Sequence, residues 1–371
     1  MKIINGKYNN ARIHTDELED TVIEQIQNMC DLEELQDAKI EIMPDCHAGK
    51  GCVIGTTIRQ KINRPINPAY VGVDLGCGVM AYEFAVHDEI DEEKMFKAID
   101  ETIKKSIPVG TNVRKESWLS KKYFDSLLCK DYLSEDIITR ARKSLGTLGG
   151  GNHYIEVDKL SNGNYLLVVH SGSRNLGKCV AEYYMSLANE NGFIEDSLNI
   201  MKYLMDASFC AKYAFDNRKF ILDILEHGIR KEFDDFEFID AYGSVHNTIE
   251  VKGNGDIIIR KGSVSAEVGE KILIPINMKD GLVIAIGKGN EETNLSAPHG
   301  AGRVMGRNQA KKSLSIEKFK EQMKNIHSIC VSSETLDEAP DAYKPIDSIL
   351  ENISKMVTIK EVAKPIYNFK A

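Results

Sequence analysis

Polar, glycine-rich loops recur along the whole chain, and they constrain the fold more than any other feature. Each loop separates apolar segments and carries at least one side chain with reactive or ligand chemistry. These loops are Pro44–Gly51, Asp74–Cys77, Gly146–His153, His170–Arg174 and Ser296–Arg303. The chain shows no internal repeat, low-complexity tract or linker-like stretch, and its 371 residues can bury a substantial core. We therefore predict one α+β domain that spans residues 1–371.

The composition is that of an ordinary soluble globular protein, with 42% hydrophobic and 28% charged residues. No apolar run approaches the roughly 20 residues that a membrane-spanning helix needs. The first ten residues, MKIINGKYNN, lack the apolar core of a signal peptide. We therefore predict a cytoplasmic protein that does not contact membranes and whose eight cysteines form no disulfides.

The net charge of −9 argues against a protein coated in basic surface, but a local basic groove can still bind phosphates. Two groups of cations are candidates for such a groove: Arg140, Arg142 and Lys143, and Arg303, Arg307, Lys311 and Lys312. Each group can equally be the solvated face of a helix.

Hydrophobic periodicity predicts several elements around the loops. Apolar residues at helical spacing predict helices over 94–105 and 134–145 and a mostly helical segment over 197–227. Gly253–Asp256 lies between two strand-like runs and predicts a hairpin. We expect two helices, near 316–327 and 346–356, to close the chain.

The loop Ser296–Arg303 presents one histidine after a proline and between small residues. Glycines let the backbone approach a bulky ligand, so His299 can be presented to a phosphate as a nucleophile, with Arg303 to hold the charge. The alternative is a tight turn whose histidine caps a helix that runs on through Val304 and Met305.

Five side chains in or beside the loops have the chemistry of metal ligands: Asp74, Cys77, His153, His170 and His246. Metal ions need deprotonated donors that converge from several segments, and a position at the edge of a loop or strand allows this. The five donors suffice for two ions if the thiolate bridges them. The alternative is a set of structural histidines with a buried cysteine. Thiolate and imidazole suit zinc, whereas the carboxylate leaves manganese open.

Two further loop segments have weaker signals. Gly149–Asn152 can cradle phosphate oxygens through backbone N–H groups, or can simply follow the end of a helix. Cys46 and His47 form a pair that can lie on the substrate side of a metal site.

Taken together, these segments resemble the RtcB family of RNA ligases. The matching sequences follow the family order over nearly the whole chain: PDCHAGKGCVIG (44–55), VGVDLGCGV (71–79), GTLGGGNHYIEV (146–157), HSGSRNLG (170–177), HN (246–247), RKGS (260–263), PHGAGR (298–303) and DEAPDAYKPID (337–347). The resemblance implies a single α+β domain with a central packed β-sheet core surrounded by helices. It also implies a GTP- and Mn²⁺-dependent ligase that joins RNA 3′-phosphate or 2′,3′-cyclic phosphate ends to 5′-hydroxyl ends, in RNA repair or tRNA splicing. An activating protein partner is compatible with this function.

The resemblance also implies roles for individual residues. His299 would attack the α-phosphate of GTP to form a covalent histidine–GMP, and GMP would then pass to the RNA 3′-phosphate. The implied ligands of two Mn²⁺ ions are Asp74, Cys77 and His153 for one ion and Cys77, His170 and His246 for the other. The implied nucleotide contacts are Asn152, His153, Glu156, His246, Asn247, Pro275, Asn277, Met278, His299, Gly300, Ala301, Gly302 and Lys370.

The sequence departs from the family pattern at positions where the family binds guanine. Ile274–Met278 stands where the family usually has a proline-glycine-serine-methionine run, and Leu282 stands where a serine helps to hold guanine. Two other functions remain open. One is a two-metal phosphoesterase that hydrolyses cyclic phosphate ends without sealing them, and the other is a non-catalytic RNA-binding module.

Overall fold

A computed structural model describes residues 2–86 and 91–370. The described strands are β1 (Lys2–Asn5), β2 (Asn10–Ile13), β3 (Lys39–His47), β4 (Ile54–Lys61), β5 (Gly78–Val86), β6 (Tyr154–Lys159), β7 (Tyr165–Ser171), β8 (Phe236–Val245), β9 (Asn247–Val251), β10 (Asp256–Lys261), β11 (Ser263–Ser265), β12 (Lys271–Asn277), β13 (Gly281–Gly287), β14 (Ser296–Pro298) and β15 (Val357–Lys370). The described helices are α1 (Asp20–Cys30), α2 (Glu92–Ser106), α3 (Glu135–Ser144), α4 (Arg174–Met185), α5 (Ser197–Arg230), α6 (Arg307–Ser313), α7 (Ile316–Gln322) and α8 (Ile346–Ile353).

The strands form two large sheets and one short pair. The six-stranded sheet has the order β1-β2-β3-β4-β10-β9, and the seven-stranded sheet has the order β12-β13-β15-β6-β7-β5-β8. Strands β11 and β14 form the short pair. Only β2 and β3 pair in parallel among the described strands, and the helices lie outside the sheets. The predicted α+β class with a sheet core surrounded by helices is confirmed.

Strand β5 of the seven-stranded sheet is buried on both faces over most of its length, and its successive side chains point to opposite faces. On one face Met80 and Tyr82 of β5 pack against apolar residues of α2 and α5. On the other face Val79 and Ala81 pack against Leu273 of β12 and other residues near the far end of the same sheet. The sheet therefore curls until its two ends meet over a shared core.

Helix α5 is the longest described helix, with 34 residues, and it carries buried polar side chains at three positions. Asp206 accepts hydrogen bonds from the amides of Leu128 and Cys129, at 2.7 and 2.9 Å, and from the hydroxyl of Tyr184 at 2.7 Å. These bonds attach the segment before α3 to the helix. Within the described part of the chain, no helix has the length and apolar content to cross a membrane.

The predicted hairpin is confirmed by β9 and β10, which pair in antiparallel register around Gly253–Asp256. The expectation that two helices close the chain is wrong, because the 14-residue strand β15 follows α8. Lys360, Glu361 and Pro365 hide the strand signal, since proline is rare inside a sheet. The register of β15 against β6 shifts between Pro365 and Tyr367, and this irregularity accommodates the proline.

We predict that Asp206→Ala lowers the free energy of unfolding by about 3 kcal/mol, because it leaves buried amide and hydroxyl donors without an acceptor. The matched control is Asp223→Ala on the same helix. Asp223 accepts from the hydroxyl of Tyr82 at 2.7 Å but is partly exposed, so about 1 kcal/mol is expected. Urea denaturation followed by circular dichroism measures both values. Equal losses for the two variants would contradict the assigned role of Asp206.

Candidate metal and nucleotide site

The register of the seven-stranded sheet brings the predicted metal ligands to one edge. Gly78 at the start of β5 pairs with Ser171 at the end of β7 and with Val245 at the end of β8. Because β6 is antiparallel to β7, its first residue, Tyr154, pairs with His170. The predicted ligands that flank or occupy these strand ends are Cys77, His153, His170 and His246.

Cys77 lies where two groups of ligand atoms meet. Its Sγ is 3.5 Å from Nε2 of His153 and 3.4 Å from Nε2 of His170. Asp74, Cys77 and His153 form one group, and Cys77, His170 and His246 form the other. The ligand atoms within each group lie within 4.8 Å of one another. The structure therefore brings all five predicted ligands together, with the thiol common to both groups.

Two of the histidines are oriented by backbone carbonyls of the loop that joins α3 to β6. Nδ1 of His153 lies 2.9 Å from the carbonyl oxygen of Leu148, and Nδ1 of His170 lies 3.1 Å from that of Asn152. When Nδ1–H donates to a carbonyl, the lone pair of Nε2 faces Cys77. Metal-binding histidines are commonly held by this kind of hydrogen bond. The glycine loop thus positions ligands, a role that its sequence did not indicate.

The electrostatics of the cluster suit a bound cation. Burial, with the neighbouring imidazoles, holds the pKa of His170 and of His246 well below its usual value, so both are neutral donors. Burial and the charge of Asp74 raise the pKa of the Cys77 thiol. Burial would also raise the pKa of Asp74, but the contact of its carboxylate with His153 and the charge of Arg174 lower it to about 2. Neutral imidazoles, a carboxylate and a thiol that can lose its proton fit a divalent cation.

Helix α5 holds the ligand-bearing loops from behind. The guanidinium of Arg218 is buried and donates from Nη1 to the carbonyl oxygens of Gly76 and Ser171, both at 2.8 Å. The amide of Asn217 accepts from the N–H of Gly146 at 2.7 Å and donates to the hydroxyl of Ser171 at 3.0 Å. Sequence reasoning missed both residues, because a polar pair on a long helix looks like an ordinary solvated position.

A cavity of about 310 Å³ adjoins the metal cluster, and the ring of His299 lies 4.9 Å from that of His246. Most of the predicted nucleotide contacts line it: Asn152, Glu156, His246, Pro275, Asn277, Met278, His299, Gly300, Ala301, Gly302 and Lys370. His153 and Asn247 are not among its described lining residues. His153 faces Cys77, and the amide of Asn247 donates to the carbonyl oxygen of Asp74 at 3.2 Å.

Asp45 orients His299, and sequence reasoning missed it. Its Oδ2 lies 2.6 Å from Nδ1 of His299 and also accepts from the His299 amide at 3.1 Å. Asp45 is fully buried, and it lies directly before Cys46 and His47 in the first glycine loop. The alternative that His299 caps a helix through Val304 is wrong, because the next helix, α6, begins at Arg307.

Arg303 lines the cavity, but its donors bond to the protein. Nε donates to the carbonyl oxygen of Met305 at 3.1 Å, Nη2 to that of Asp337 at 2.5 Å, and Nη1 to the hydroxyl of Tyr343 at 3.3 Å. This arrangement fixes the wall behind the His299 loop. Direct contact between Arg303 and a phosphate stays a prediction.

Buried charged groups also line the cavity. Nζ of Lys370 lies 2.6 Å from Oε2 of Glu338, and the amide of Asn368 donates to Glu156 at 2.6 Å. Burial raises the pKa of Glu156 to about 7, against the opposing effects of Asn368 and Lys370. Leu282 is buried in the core and is not among the lining residues that the structure describes. Sequence reasoning missed Asn368 because it lies on the unpredicted strand β15.

We predict that Cys77→Ala abolishes metal-ion binding at both ligand groups, because the thiolate of Cys77 is a ligand in each group. After dialysis against Mn²⁺, metal analysis should find two ions per chain in the unmodified protein and none in this variant. Cys210→Ala is the matched control, since Cys210 is also fully buried but lies outside both ligand groups. Two full ions retained in the Cys77→Ala variant would contradict the shared position of the thiolate.

Comparison with known proteins agrees with this arrangement. A family model described as tRNA-splicing ligase RtcB matches residues 25–133 and 127–371. The RNA-splicing ligase RtcB of Escherichia coli K12 is 31% identical over 86% of this chain and 87% of its own length. The tRNA-splicing ligase RtcB of Pyrobaculum aerophilum is 26% identical over 87% of this chain and 85% of its own. The match to the family model over most of the chain shows that this protein belongs to the RtcB family.

Proposed function

We propose that this protein is an RNA ligase that joins a 3′-phosphate or 2′,3′-cyclic phosphate end to a 5′-hydroxyl end, with GTP and two Mn²⁺ ions. The names of its relatives, RNA-splicing and tRNA-splicing ligases, support an RNA substrate. One observation carries the proposal. His299 and the metal cluster lie side by side at one cavity, with the rings of His299 and His246 4.9 Å apart.

His299 is the proposed nucleophile. Asp45 accepts a hydrogen bond from Nδ1–H, so the lone pair of Nε2 is free to attack the α-phosphate of GTP. A phosphorus–nitrogen bond forms, the bond to the β-phosphate oxygen breaks, and pyrophosphate leaves. The Asp45 carboxylate stabilises the positive charge that develops on the ring. An oxygen of the RNA 3′-phosphate then takes the GMP from His299, and the 5′-hydroxyl finally displaces GMP.

The residues that would hold the two cations are Asp74, Cys77 and His153 for one ion and Cys77, His170 and His246 for the other. Divalent cations bound there neutralise the negative charge of the reacting phosphates, which is the main requirement of phosphoryl transfer. His246 connects this chemistry to the nucleotide, because it belongs to a ligand group and also lines the cavity.

The charged groups that line the cavity support guanine as the base. Guanine presents an N–H and an amino group as donors beside a carbonyl acceptor. The carboxylate of Glu156 can accept from these donors, and the ammonium of Lys370 can donate to the carbonyl. Pro275, Asn277 and Met278 provide the adjacent wall in place of the usual family run.

The His299–Asp45 pair favours the ligase over a phosphoesterase. Hydrolysis of a cyclic phosphate needs the metal ligands and a water molecule, but it does not need an oriented imidazole in a nucleotide-sized cavity. A non-catalytic RNA-binding module needs neither the metal ligands nor the oriented imidazole.

The proposal is tested by incubating the purified protein alone with Mn²⁺ and GTP labelled at the α-phosphate. We expect covalent label that is lost in acid, as a phosphoramidate is, and that is absent from His299→Ala. His227→Ala is the matched control, because His227 is exposed on α5 and should leave labelling unchanged. The labelled protein should then seal an RNA with a 3′-phosphate and a 5′-hydroxyl end. Equal labelling of the His299→Ala and unmodified proteins would refute the nucleophile, and absence of labelling of the unmodified protein would refute the ligase.

We predict that Asp45→Asn slows labelling by roughly 10²- to 10⁴-fold, because an amide cannot hold the imidazole in the same tautomer or stabilise its charge. The Mn²⁺ content should stay at the unmodified level, since Asp45 lies outside both ligand groups. Rates of single-turnover labelling measure the effect. A rate within a few-fold of the unmodified protein would contradict the role given to Asp45.

A further inference from the structure

A second groove opens beside the metal cluster. This groove, of about 310 Å³, is lined by Asp74, Gly110, Thr111, Arg140 and Arg174, among other residues. None of its described lining residues belongs to the cavity beside His299, which we call the nucleotide cavity. The two spaces therefore meet the cluster through different residues, and the side chain of Asp74 remains 32% exposed.

The segment 110–118 leads from this groove to an exposed aromatic site. It runs alongside α3. The backbone amide of Arg114 donates to the carbonyl oxygen of Lys143 at 3.0 Å, and the backbone amide of Trp118 donates to the carbonyl oxygen of Arg142 at 3.2 Å. Arg140 donates to the carbonyl oxygen of Thr111 at 2.6 Å. Eight Cα–Cα steps link Gly110 to Trp118, so the aromatic site lies at most about 28 Å from the groove.

Trp118 is the only tryptophan of the chain, and it remains 45% exposed. The guanidinium of Arg114 lies 3.5 Å from the centre of its ring, and the ring of Phe220 on α5 lies 5.7 Å away. Arg114 is itself fixed, since it donates to the carbonyl oxygens of Leu145 and Gly146, both at 2.7 Å. We call Arg114, Trp118 and Phe220 the aromatic platform.

The surroundings of the aromatic platform favour a polyanion. Lys115, Arg140, Arg142 and Lys143 lie on the same loop or on α3, and none of them forms an ion pair with an acidic residue in the described ranges. The space beside Trp118 is lined by the acidic residues Glu101, Asp223 and Glu232 and by the basic residues Lys105, Arg114 and Lys231, and Asp223 and Glu232 are paired with Lys219 and Lys94. An exposed indole that stacks on a guanidinium, close to a helix with basic side chains, is typical of a surface that stacks a nucleic-acid base and neutralises its phosphates.

We propose that the aromatic platform stacks a base of single-stranded RNA whose end lies at the metal cluster. This inference rests on the proposed RNA substrate and extends it to a second contact site. The groove with Arg140 and Arg174 provides the path between the two sites. Such a contact favours substrates with several unpaired nucleotides next to the break, because a base must be unstacked to lie on the ring.

The test uses Trp118 as its own reporter. Titration of the full chain with a short single-stranded RNA that carries a 3′-phosphate, without GTP, should quench the tryptophan fluorescence. Prior saturation of the protein with an unlabelled RNA of the same sequence should remove the further quenching, because the site is then occupied. RNA that binds, as measured by the anisotropy of a label on the RNA, but leaves the fluorescence unchanged would overturn the proposal.

Variants give an independent measurement. Trp118→Ala and Phe220→Ala should raise the Kd for the RNA by roughly 5- to 150-fold, the range expected for loss of one stacked base. Trp118→Phe should restore most of the affinity. The matched control is Phe215→Ala, since Phe215 is a 46% exposed phenylalanine on the same helix but outside the platform. A Kd for Trp118→Ala equal to that of the unmodified protein would exclude RNA stacking there.

The platform proposal and the ligase proposal are refuted by different results. Trp118→Ala should keep the unmodified rate of labelling by GTP, because no residue of the platform lines the nucleotide cavity. Quenching by RNA without any labelling of the unmodified protein would refute the ligase and support the platform. Labelling without quenching would refute the platform alone.

Discussion

Hydrogen bonds from Asn217 and Arg218 of α5 hold the glycine loops in the positions at which two sets of metal ligands meet at Cys77. A buried guanidinium without acceptors is strongly unfavourable, so the carbonyl oxygens of Gly76 and Ser171 are tied to the packing of α5. Gly76 also has a φ of +74° and lies against the backbone of Ala211, so a side chain at position 76 would not fit. The ligand geometry is therefore a consequence of how this helix packs on the curled sheet.

The metal cluster separates two spaces with different chemistry. The nucleotide cavity is enclosed by the His299 loop, the strand end that carries Lys370 and the buried carboxylates of Glu156 and Glu338. The groove on the other side is bordered by the basic side chains of Arg140 and Arg174. In the proposed mechanism, a nucleotide held by His299 and an RNA end would reach the metal cluster through these two separate spaces. The protein's net charge of −9 does not prevent RNA from approaching, because basic side chains are concentrated near the groove.

The sequence predicted the parts of the site whose signals are local. Cys77, His153 and His170 were found because ligand chemistry stands next to glycines at strand ends, and antiparallel register brings such ends together. Asp45, Asn217 and Arg218 were not found, because their roles depend on contacts across as many as 254 residues of sequence. Strand β15 was missed because Pro365 and the charged residues before it obscure its alternation. The α+β class follows from the alternation of loops and apolar runs, whereas the curling of the sheet has no local signal.

The shared position of Cys77 is tested most directly by anomalous diffraction at the manganese absorption edge, on crystals grown with Mn²⁺. The account predicts two anomalous peaks, both within bonding distance of Sγ of Cys77. One peak should be completed by Asp74 and His153 and the other by His170 and His246. A single peak, or two peaks of which only one contacts Cys77, would contradict the bridging thiolate and the two-cation site that depends on it.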